Sequence, residues 1–211
     1  YFGTLEYKSV KIVLLEGTIK KWIFFFYVLD ANRNGVLEPD DIELILDRLF
    51  KCKPGLFSKA EVKYLRYATL KNFDRLLIEA STKKGRQITL SEWINIINQT
   101  NETDRKSYFI RWFSASAVRF LYDVCDLNKD GFIDFDEFET LYTILGLSRA
   151  NIISAFKELD INRDGRLSKG EIYEGIRGYF SSSNATIGHN VFGQYESLSK
   201  EYLKKLDTVP A

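Results

Sequence analysis

The sequence predicts an all-α protein of four helix-loop-helix units in two pairs, with a degenerate second unit. Apolar residues recur at three- and four-residue steps over long stretches, which is the period of a helix. Short acidic loops containing glycine interrupt these stretches, and sustained two-residue alternation is missing from them. One phrase occurs three times, beginning at Asp30, Asp126 and Asp160. The helices and the repeated loops together indicate the fold class.

The spacing of the three phrases predicts how the units pair. The second and third phrases are separated by one helix-loop-helix length, and the first and second leave room for one further unit between them. Residues 98–107 are polar and lack helical periodicity, so we place the boundary between the two pairs there. We therefore expect an N-terminal pair over residues 1–104 and a C-terminal pair over residues 105–181.

The loop 126–137 carries the full pattern of a calcium site. About seven oxygens must reach one ion within twelve residues, so positions 1, 3, 5 and 12 need oxygen-bearing side chains and position 7 gives its carbonyl. Gly131 stands at position 6, where the chain turns sharply. The predicted ligands are Asp126, Asn128, Asp130, the carbonyl of Phe132, and Glu137.

The loop 160–171 repeats the same pattern, with Gly165 at position 6. Leu167 at its eighth position is expected to pair with Ile133, the eighth residue of the preceding loop. Two full matches to the calcium-loop pattern, one helix-loop-helix length apart, are rare by chance. Two unrelated surface turns rich in acidic residues are therefore a poor explanation of the pattern. The predicted ligands are Asp160, Asn162, Asp164, the carbonyl of Arg166, and Glu171.

The loop 30–41 differs at its last position. Asp41 replaces the usual glutamate, and its shorter side chain is less able to reach the ion with both oxygens. Six-fold coordination suits Mg²⁺ more than seven-fold coordination does, so we expect weaker calcium binding or competition from Mg²⁺. The alternative is a loop that binds nothing. The predicted ligands are Asp30, Asn32, Asn34, the carbonyl of Val36, and Asp41.

The remaining unit has a loop over residues 81–92 when Ile88 takes the eighth position. Lys83 then falls at position 3 and Arg86 replaces the glycine of position 6. These positive charges would repel a divalent ion. We expect this unit to keep the helices and to have lost the metal.

Apolar residues stand in register with the three acidic loops, four residues and one residue before each loop and directly after it. A helical protein with unrelated acidic turns has no reason to repeat them. They are Phe26, Leu29 and Ile42, then Tyr122, Cys125 and Phe138, then Phe156, Leu159 and Ile172.

The loops resemble those of the EF-hand superfamily. The run 30–46 with its Asp-Asp pair, the long insertion that follows, and the closing segment 189–193 are similar to calexcitin and the invertebrate sarcoplasmic calcium-binding proteins. The resemblance implies a compact fold in which the tail, residues 182–211, packs on the core through Val191 and Phe192. It also implies binding of Ca²⁺ and Mg²⁺ by a cytoplasmic buffer or a calcium-signalling protein. Related photoproteins use several histidines, whereas this chain has only His189.

Composition excludes several other functions. No apolar run reaches membrane-spanning length, and the net charge of +1 does not predict nucleic-acid binding. The sequence carries no phosphate-binding glycine loop and no nucleophile with a base, so an enzyme is not expected. Two distant cysteines are typical of a reducing compartment, which favours the cytoplasm.

Three interpretations of function stay open on the sequence alone. The first is an ion buffer or signalling protein, and the absence of methionine argues against a Met-rich groove that grips many targets. The second is a calcium-stabilised subunit docked on a protein partner in a larger assembly. The third is a luciferin-type binding protein, because an aromatic-rich core could enclose a flat apolar ligand.

Overall fold

The computed structural model shows a mostly helical protein, which confirms the predicted fold class. It describes residues 6–7, 10–11, 16–52, 54–79, 86–99, 103–181 and 190–192. Side chains are described within residues 20–52, 54–76, 86–95, 111–180 and 190–192. Among the described residues, no helix is long and apolar enough to span a membrane.

The first half contains two short antiparallel ribbons and four helices. The ribbon of β1 (Glu6–Tyr7) and β2 (Val10–Lys11) was not predicted, because two paired residues are too few to leave a periodic pattern. The second ribbon joins β3 (Val36–Leu37) to β4 (Ile88–Thr89) and places Leu37 opposite Ile88, which agrees with the eighth-position alignment of the second unit. The elements that follow β2 are α1 (Glu16–Leu29), β3 (Val36–Leu37), α2 (Pro39–Cys52), α3 (Lys59–Glu79), β4 (Ile88–Thr89) and α4 (Leu90–Gln99).

The second half repeats this plan. Its ribbon joins β5 to β6 and places Ile133 opposite Leu167, as the sequence predicted. The elements are α5 (Thr103–Cys125), β5 (Ile133–Asp134), α6 (Phe135–Ile144), α7 (Arg149–Leu159), β6 (Arg166–Leu167) and α8 (Lys169–Ser181). Each of the strands β3 to β6 therefore lies between two helices.

The polar stretch 98–107 is more helical than its composition suggests. Helix α4 continues through Gln99 and α5 begins at Thr103, so only residues 100–102 of this stretch lie outside the described residues. Polar residues at the ends of two helices need no apolar face, because the hydrophobic period applies only where a helix packs. The expected boundary at residues 104–105 stays a prediction.

Helix α1 lies at the centre of the core. Residues 22–26 are all buried, so this part of α1 is apolar on every side, as expected for a helix surrounded by others. The Trp22 ring lies 4.1 Å from the Phe180 ring of α8 and 5.5 Å from the Trp93 ring of α4, measured between centroids. The Trp93 indole also donates a hydrogen bond to the Trp22 carbonyl at 3.0 Å. Aromatic contacts thus join helices of both halves.

The apolar residues that stand in register with the loops reach this core. All of them are buried except Leu29, which is half-buried and packs against the core. Val191 and Phe192 are buried as well, with the Phe192 ring centroid 4.6 Å from that of Phe25. The anchoring residues implied for the tail therefore pack as expected, while His189 and Gly193 lie outside the described residues.

Helix α8 approaches α7 closely at Gly175, which generates a stability prediction. A Cβ at this position would overlap the Leu159 side chain and lie 3.4 Å from Val191 Cγ2. We expect Gly175→Ala to lower the free energy of unfolding by about 1–3 kcal/mol, because the buried Leu159 must repack. Denaturant unfolding in a chelator measures this change.

The matched control is Gly170→Ala in the same helix, where a Cβ has open space apart from Ser168 Oγ at 3.9 Å. This substitution should be neutral or stabilising by up to about 1 kcal/mol, since alanine favours helix more than glycine does. Equal effects of the two substitutions would contradict the close-packing argument.

Candidate calcium sites

The three acidic loops share one backbone conformation. The fourth residue of each, Arg33, Lys129 and Arg163, has a positive φ of 64°, 58° and 59°. The sixth residue of each is a glycine with φ of 87°, 83° and 81°, a region that other residues rarely adopt. The sharp turn predicted for position 6 is therefore present in all three loops.

In the loop 126–137, the side chains predicted as ligands turn toward the loop's own amides. Asp126 Oδ2 accepts a hydrogen bond from the Gly131 amide at 3.1 Å. Asn128 Oδ1 accepts from the Asp130 amide at 2.8 Å, and Asp130 Oδ1 accepts from the Phe132 amide at 2.9 Å. These contacts hold the side chains of positions 1, 3 and 5 against the backbone of the loop.

Glu137 closes the same loop with both of its carboxylate oxygens. Oε1 accepts from the Leu127 amide at 2.9 Å, and Oε2 accepts from the Asp134 amide at 3.0 Å. Asp134 in turn accepts from the Glu137 amide at 2.9 Å, which completes a capping box at the start of α6. Glu137 therefore ties the beginning of the loop to its end.

The loop 160–171 is built in the same way. Asp160 Oδ2 accepts from the Gly165 amide at 3.0 Å, as Asp126 Oδ2 does from Gly131. Glu171 Oε1 accepts from the Ile161 amide at 3.1 Å and Oε2 from the Ser168 amide at 2.9 Å. Partial burial alone would raise the pKa of Glu171, but its hydrogen bonds from Ser168, Asn162 and Ile161 together lower it.

The loop 30–41 closes despite its shorter terminal carboxylate. Asp41 Oδ1 accepts from the Asn32 amide at 3.1 Å and Oδ2 from the Glu38 amide at 3.0 Å, so the two oxygens again join both ends of the loop. Asp41 is fully buried and Asp30 nearly so. Burial raises the pKa of Asp41, with smaller contributions from the charges of Asp30 and Glu38, against the hydrogen bonds from the two amides. This loop is the most shielded of the three.

Glu38 distinguishes the loop 30–41 further. Its Oε1 accepts from Asn34 Nδ2 at 2.6 Å and from Asn32 Nδ2 at 3.1 Å. The ninth position of this loop thus already contacts the side chains of positions 3 and 5. At the corresponding position of the other two loops, Asp134 and Ser168 accept from the amides of Glu137 and Glu171 at the start of the helix that follows.

The donors present fit a hard cation. Carboxylate, amide and carbonyl oxygens are the ligands that calcium and magnesium prefer. Asp126 Oδ1 is buried and has no hydrogen-bond partner among the described residues, although its neighbouring oxygen has one. A buried carboxylate oxygen without a partner is costly, and a cation would satisfy it. Among the described residues, no group of three or more His, Cys, Asp or Glu side chains is placed to hold a metal ion.

The second unit keeps the contact between the twelfth and ninth positions of the loop. Glu92 Oε2 accepts from the amide and the hydroxyl of Thr89, each at 2.8 Å, as Glu171 does from Ser168. Arg86 forms an ion pair with Asp74 of α3. Ser81, Lys83 and Gly85 lie outside the described residues, so the loss of metal in this unit stays a prediction.

Two contacts that the sequence did not suggest link the loops to their surroundings. The buried Tyr122 hydroxyl donates to the Leu167 carbonyl at 2.6 Å, which joins α5 to the opposite strand of the ribbon. Lys129 Nζ donates to Glu61 of α3 at 3.0 Å and so connects the loop 126–137 to the first half. A hydrogen bond from the Ser58 amide and the contact with Lys129 lower the pKa of Glu61 to about 2. Neither contact follows from sequence spacing, because the partners are far apart in the chain.

Comparison with known proteins supports this interpretation of the loops. The EF-hand family model matches residues 123–142 and 152–174, which contain the loops 126–137 and 160–171. Calerythrin of Saccharopolyspora erythraea is 30% identical over 150 residues, which span 71% of this chain and 84% of calerythrin. The luciferin-binding protein of Renilla reniformis is 24% identical over 166 residues, spanning 78% of this chain and 86% of that protein.

A solved structure shows the same fold at lower identity. The sarcoplasmic calcium-binding protein from amphioxus superimposes with a TM-score of 0.69 at 20% identity, covering 86% of this chain and 98% of that one. The likeness concerns the arrangement of the helices.

The Asp126 oxygen without a partner among the described residues predicts that substitution of Asp126 changes stability differently with and without calcium. Asp126→Asn removes the charge of a half-buried carboxylate that has one buried oxygen without a partner among the described residues, so in a chelator the melting temperature should rise slightly or stay unchanged. When the calcium concentration is one hundred times the Kd, loss of the site should lower the free energy of unfolding by about 2.7 kcal/mol. Asp136→Asn, an exposed acid of the same loop outside the ligand positions, is the control and should shift both melting temperatures equally. A fall of equal size in both states for Asp126→Asn would show that the residue is only structural.

Proposed function

The chain belongs to the EF-hand family of calcium-binding proteins, and from this premise we propose that it binds three ions, through the loops 30–41, 126–137 and 160–171. We further propose that it acts as a cytoplasmic buffer of calcium and magnesium or as a calcium-signalling protein. The observation that carries the proposal is the common closure of the three loops, in which a terminal carboxylate joins both ends. Three loops with the same backbone and the same oxygen positions are expected to perform the same task.

The ligands of each ion follow from position in the loop. The carboxylates of Asp126, Asp130 and Glu137, or of Asp160, Asp164 and Glu171, would supply the negative charge that a divalent ion requires. The amide oxygens of Asn128 and Asn162, with the carbonyls of Phe132 and Arg166, would complete each set. The ion supplies the positive charge, and the chain holds its oxygens on one side of the loop.

We propose that Mg²⁺ competes with calcium for the loop 30–41. Asp41 accepts from amides at both ends of the loop with a side chain one carbon shorter than that of Glu171, which favours a smaller ion in this loop. Mg²⁺ is smaller than calcium and demands near-octahedral geometry at shorter distances, which such a loop suits. The proposed set is Asp30, Asn32, Asn34, the Val36 carbonyl and Asp41.

A buffer or a signalling protein with a dedicated partner fits the chain better than a sensor that grips many targets. Such sensors expose a flexible methionine-rich groove, and this sequence has no methionine. Two of the proteins described above are named for binding calcium or luciferin and not for a reaction, which supports a non-enzymatic role. Cys52 carries an exposed free thiol, and a reducing compartment such as the cytoplasm would preserve it.

A second candidate function, binding of a small apolar ligand, is favoured by one observation. A cavity of about 150 Å³ lies between helices of both halves, and its wall is almost entirely apolar. A cavity of that size holds about one benzene ring in another protein, so it is small for a molecule of several rings.

Calorimetric titration with calcium tests the proposed sites. We expect at least two tight binding events in the whole chain, and Glu137→Gln and Glu171→Gln should each lose one, because an amide cannot replace the charged bidentate ligand. Glu139→Gln, an acid of α6 outside the ligand positions, should keep both events. Retention of every event in both position-12 variants would overturn the assignment of these loops.

The metal preference of the loop 30–41 is tested by lengthening its last carboxylate. Asp41→Glu should raise the affinity of this loop for calcium relative to Mg²⁺ by about tenfold, since the longer side chain can offer both oxygens to the larger ion. Calcium titrations with and without millimolar Mg²⁺ measure the ratio. Asp40→Glu lengthens the adjacent exposed acid and should leave the ratio unchanged; an equal change in the two variants would contradict the role of Asp41.

A further inference from the structure

Helix α3 presents an exposed face that contains no acidic residue. Its side chains are described between residues 59 and 76, and those that are exposed there are basic, aromatic or alanine. The two acids in this range, Glu61 and Asp74, are partly buried and form ion pairs with Lys129 and Arg86. The exposed residues of the face are Lys59, Ala60, Lys63, Tyr64, Tyr67, Lys71 and Arg75.

Five of these residues, which we call the basic row, stand four positions apart. Residues four apart are neighbours on the surface of a helix and lie about 6 Å from one another along its axis, so the row is about 24 Å long. Its central member is aromatic, and two cations lie on each side of it. The row is Lys59, Lys63, Tyr67, Lys71 and Arg75.

The lysines of the basic row have no acidic partner in the part of the chain that the structure describes. By contrast, Arg66 on another side of α3 pairs with Glu43 and Asp47 of α2. The Arg75 guanidinium lies over the Trp112 ring, 4.7 Å from its centroid. Like charges four residues apart destabilise a helix slightly, and the row contains two such pairs. A negatively charged partner would relieve this repulsion.

Tyr67 gives the basic row an aromatic centre. It is 64% exposed, and Lys71 Nζ lies 5.7 Å from the centroid of its ring. Of the four exposed large hydrophobic residues among the described ones, Leu56, Tyr64 and Tyr67 lie in α3 or just before it. Tyrosine is enriched at protein interfaces and among the residues that dominate their affinity. The face therefore suits a protein partner with an apolar contact for Tyr67.

The surroundings of the basic row favour a narrow partner over a broad anionic surface such as a membrane. Glu43 and Asp47 of α2 are partly exposed on one neighbouring helix. On α5, Asp123 lies beside Arg119, whose guanidinium donates to the Tyr64 hydroxyl at 2.7 Å. A broad negative surface would meet these carboxylates together with the row, and like charges repel. A helix would contact the row alone, since rows of residues four apart on two helices interdigitate in the commonest class of helix packing.

We propose that the basic row binds an acidic helix of a partner protein, with carboxylates at every fourth position and an apolar residue opposite Tyr67. The two carboxylates on each side of that apolar residue pair with the two cations on each side of Tyr67. The spacing of the partner equals that of the row, because both are helices. This inference goes beyond the proposed binding of ions and does not rest on it.

NMR titration of the isotope-labelled whole chain with a designed helical peptide tests the proposal. The probe is an alanine-based peptide of about 20 residues, long enough to be partly helical, with four glutamates and a central leucine in this spacing. We expect saturable shifts at the amides of α3 with a Kd of about 1 mM or tighter at low ionic strength, because exposed charge pairs each contribute modestly. Raising the salt concentration to about 0.5 M should weaken binding at least fivefold.

A peptide of the same composition with its glutamates rearranged should bind at least threefold more weakly, because its carboxylates no longer match the row. Equal binding of the two peptides would overturn the proposal. So would the absence of saturable shifts with the matched peptide.

Charge reversal within the basic row tests the pairing. Lys63→Glu and Lys71→Glu should each weaken the matched peptide at least fivefold, because an attraction becomes a repulsion. Lys157→Glu is the matched control, since it reverses an exposed lysine of α7 with the same change in net charge, and it should weaken binding less than twofold. Equal weakening in all three variants would show a general charge effect and overturn the proposal.

A double-mutant cycle tests the contact of Tyr67 with the central leucine. Replacing that leucine by alanine should weaken binding to the unmodified chain about threefold and leave binding to Tyr67→Ala unchanged. Because Tyr67 is largely exposed, Tyr67→Ala should keep the helical circular dichroism. An equal loss in the chain with and without Tyr67 would contradict this contact.

Two further measurements identify other occupants of the basic row. Binding to phosphatidylserine vesicles that depends on Lys63 and is tighter than binding of the peptide would assign the row to a lipid surface. Self-association of the chain that is lost in Lys63→Glu would assign it to a second copy. Either result overturns the proposal. Calcium titration of the same samples tests the loops separately, so failure of the calcium proposal and failure of this one are distinguishable.

Discussion

The pairing of loops through buried eighth-position residues is the constraint on which the sites depend. Leu37, Ile88, Ile133 and Leu167 are all completely buried, and each pairs with its counterpart across a two-residue ribbon. A lone twelve-residue acidic loop would have little reason to stay folded, because its carboxylates repel one another. The apolar anchor in the middle of each loop, fixed by its partner, holds the oxygens in place against this repulsion.

The amides of the loops balance part of the negative charge. In each of the three acidic loops the terminal carboxylate accepts from an amide near the start of the loop and from the amide of the ninth residue. Hydrogen bonds from amides to a carboxylate favour its charged form, as the lowered pKa of Glu171 illustrates. Burial has the opposite effect at Asp41, whose pKa is raised. The loop 30–41 therefore has the most to gain from a cation, although its geometry limits which cation suits it.

Local spacing allowed the helices, the loop register and the ribbon partners to be predicted, because these features repeat within each unit. The pairing of Ile133 with Leu167 was predicted from their eighth positions, and Ile88, placed at the eighth position of its loop, lies opposite Leu37. Long-range contacts could not be predicted in this way. The hydrogen bond from Tyr122 to the Leu167 carbonyl, the ion pair of Lys129 with Glu61 and the cavity beside Tyr142 all depend on how the halves pack, which no sequence period records.

The second unit shows why a loop can lose its ligands and still be retained. Ile88 supplies the strand that pairs with Leu37, and Trp93 packs on Trp22 and donates to its carbonyl. Glu92 still caps α4 through Thr89, so the helix begins correctly without an ion. Removal of this unit would expose Leu37 and leave the loop 30–41 without its ribbon. The described part of the unit is therefore tied to its neighbour through Ile88 and Trp93.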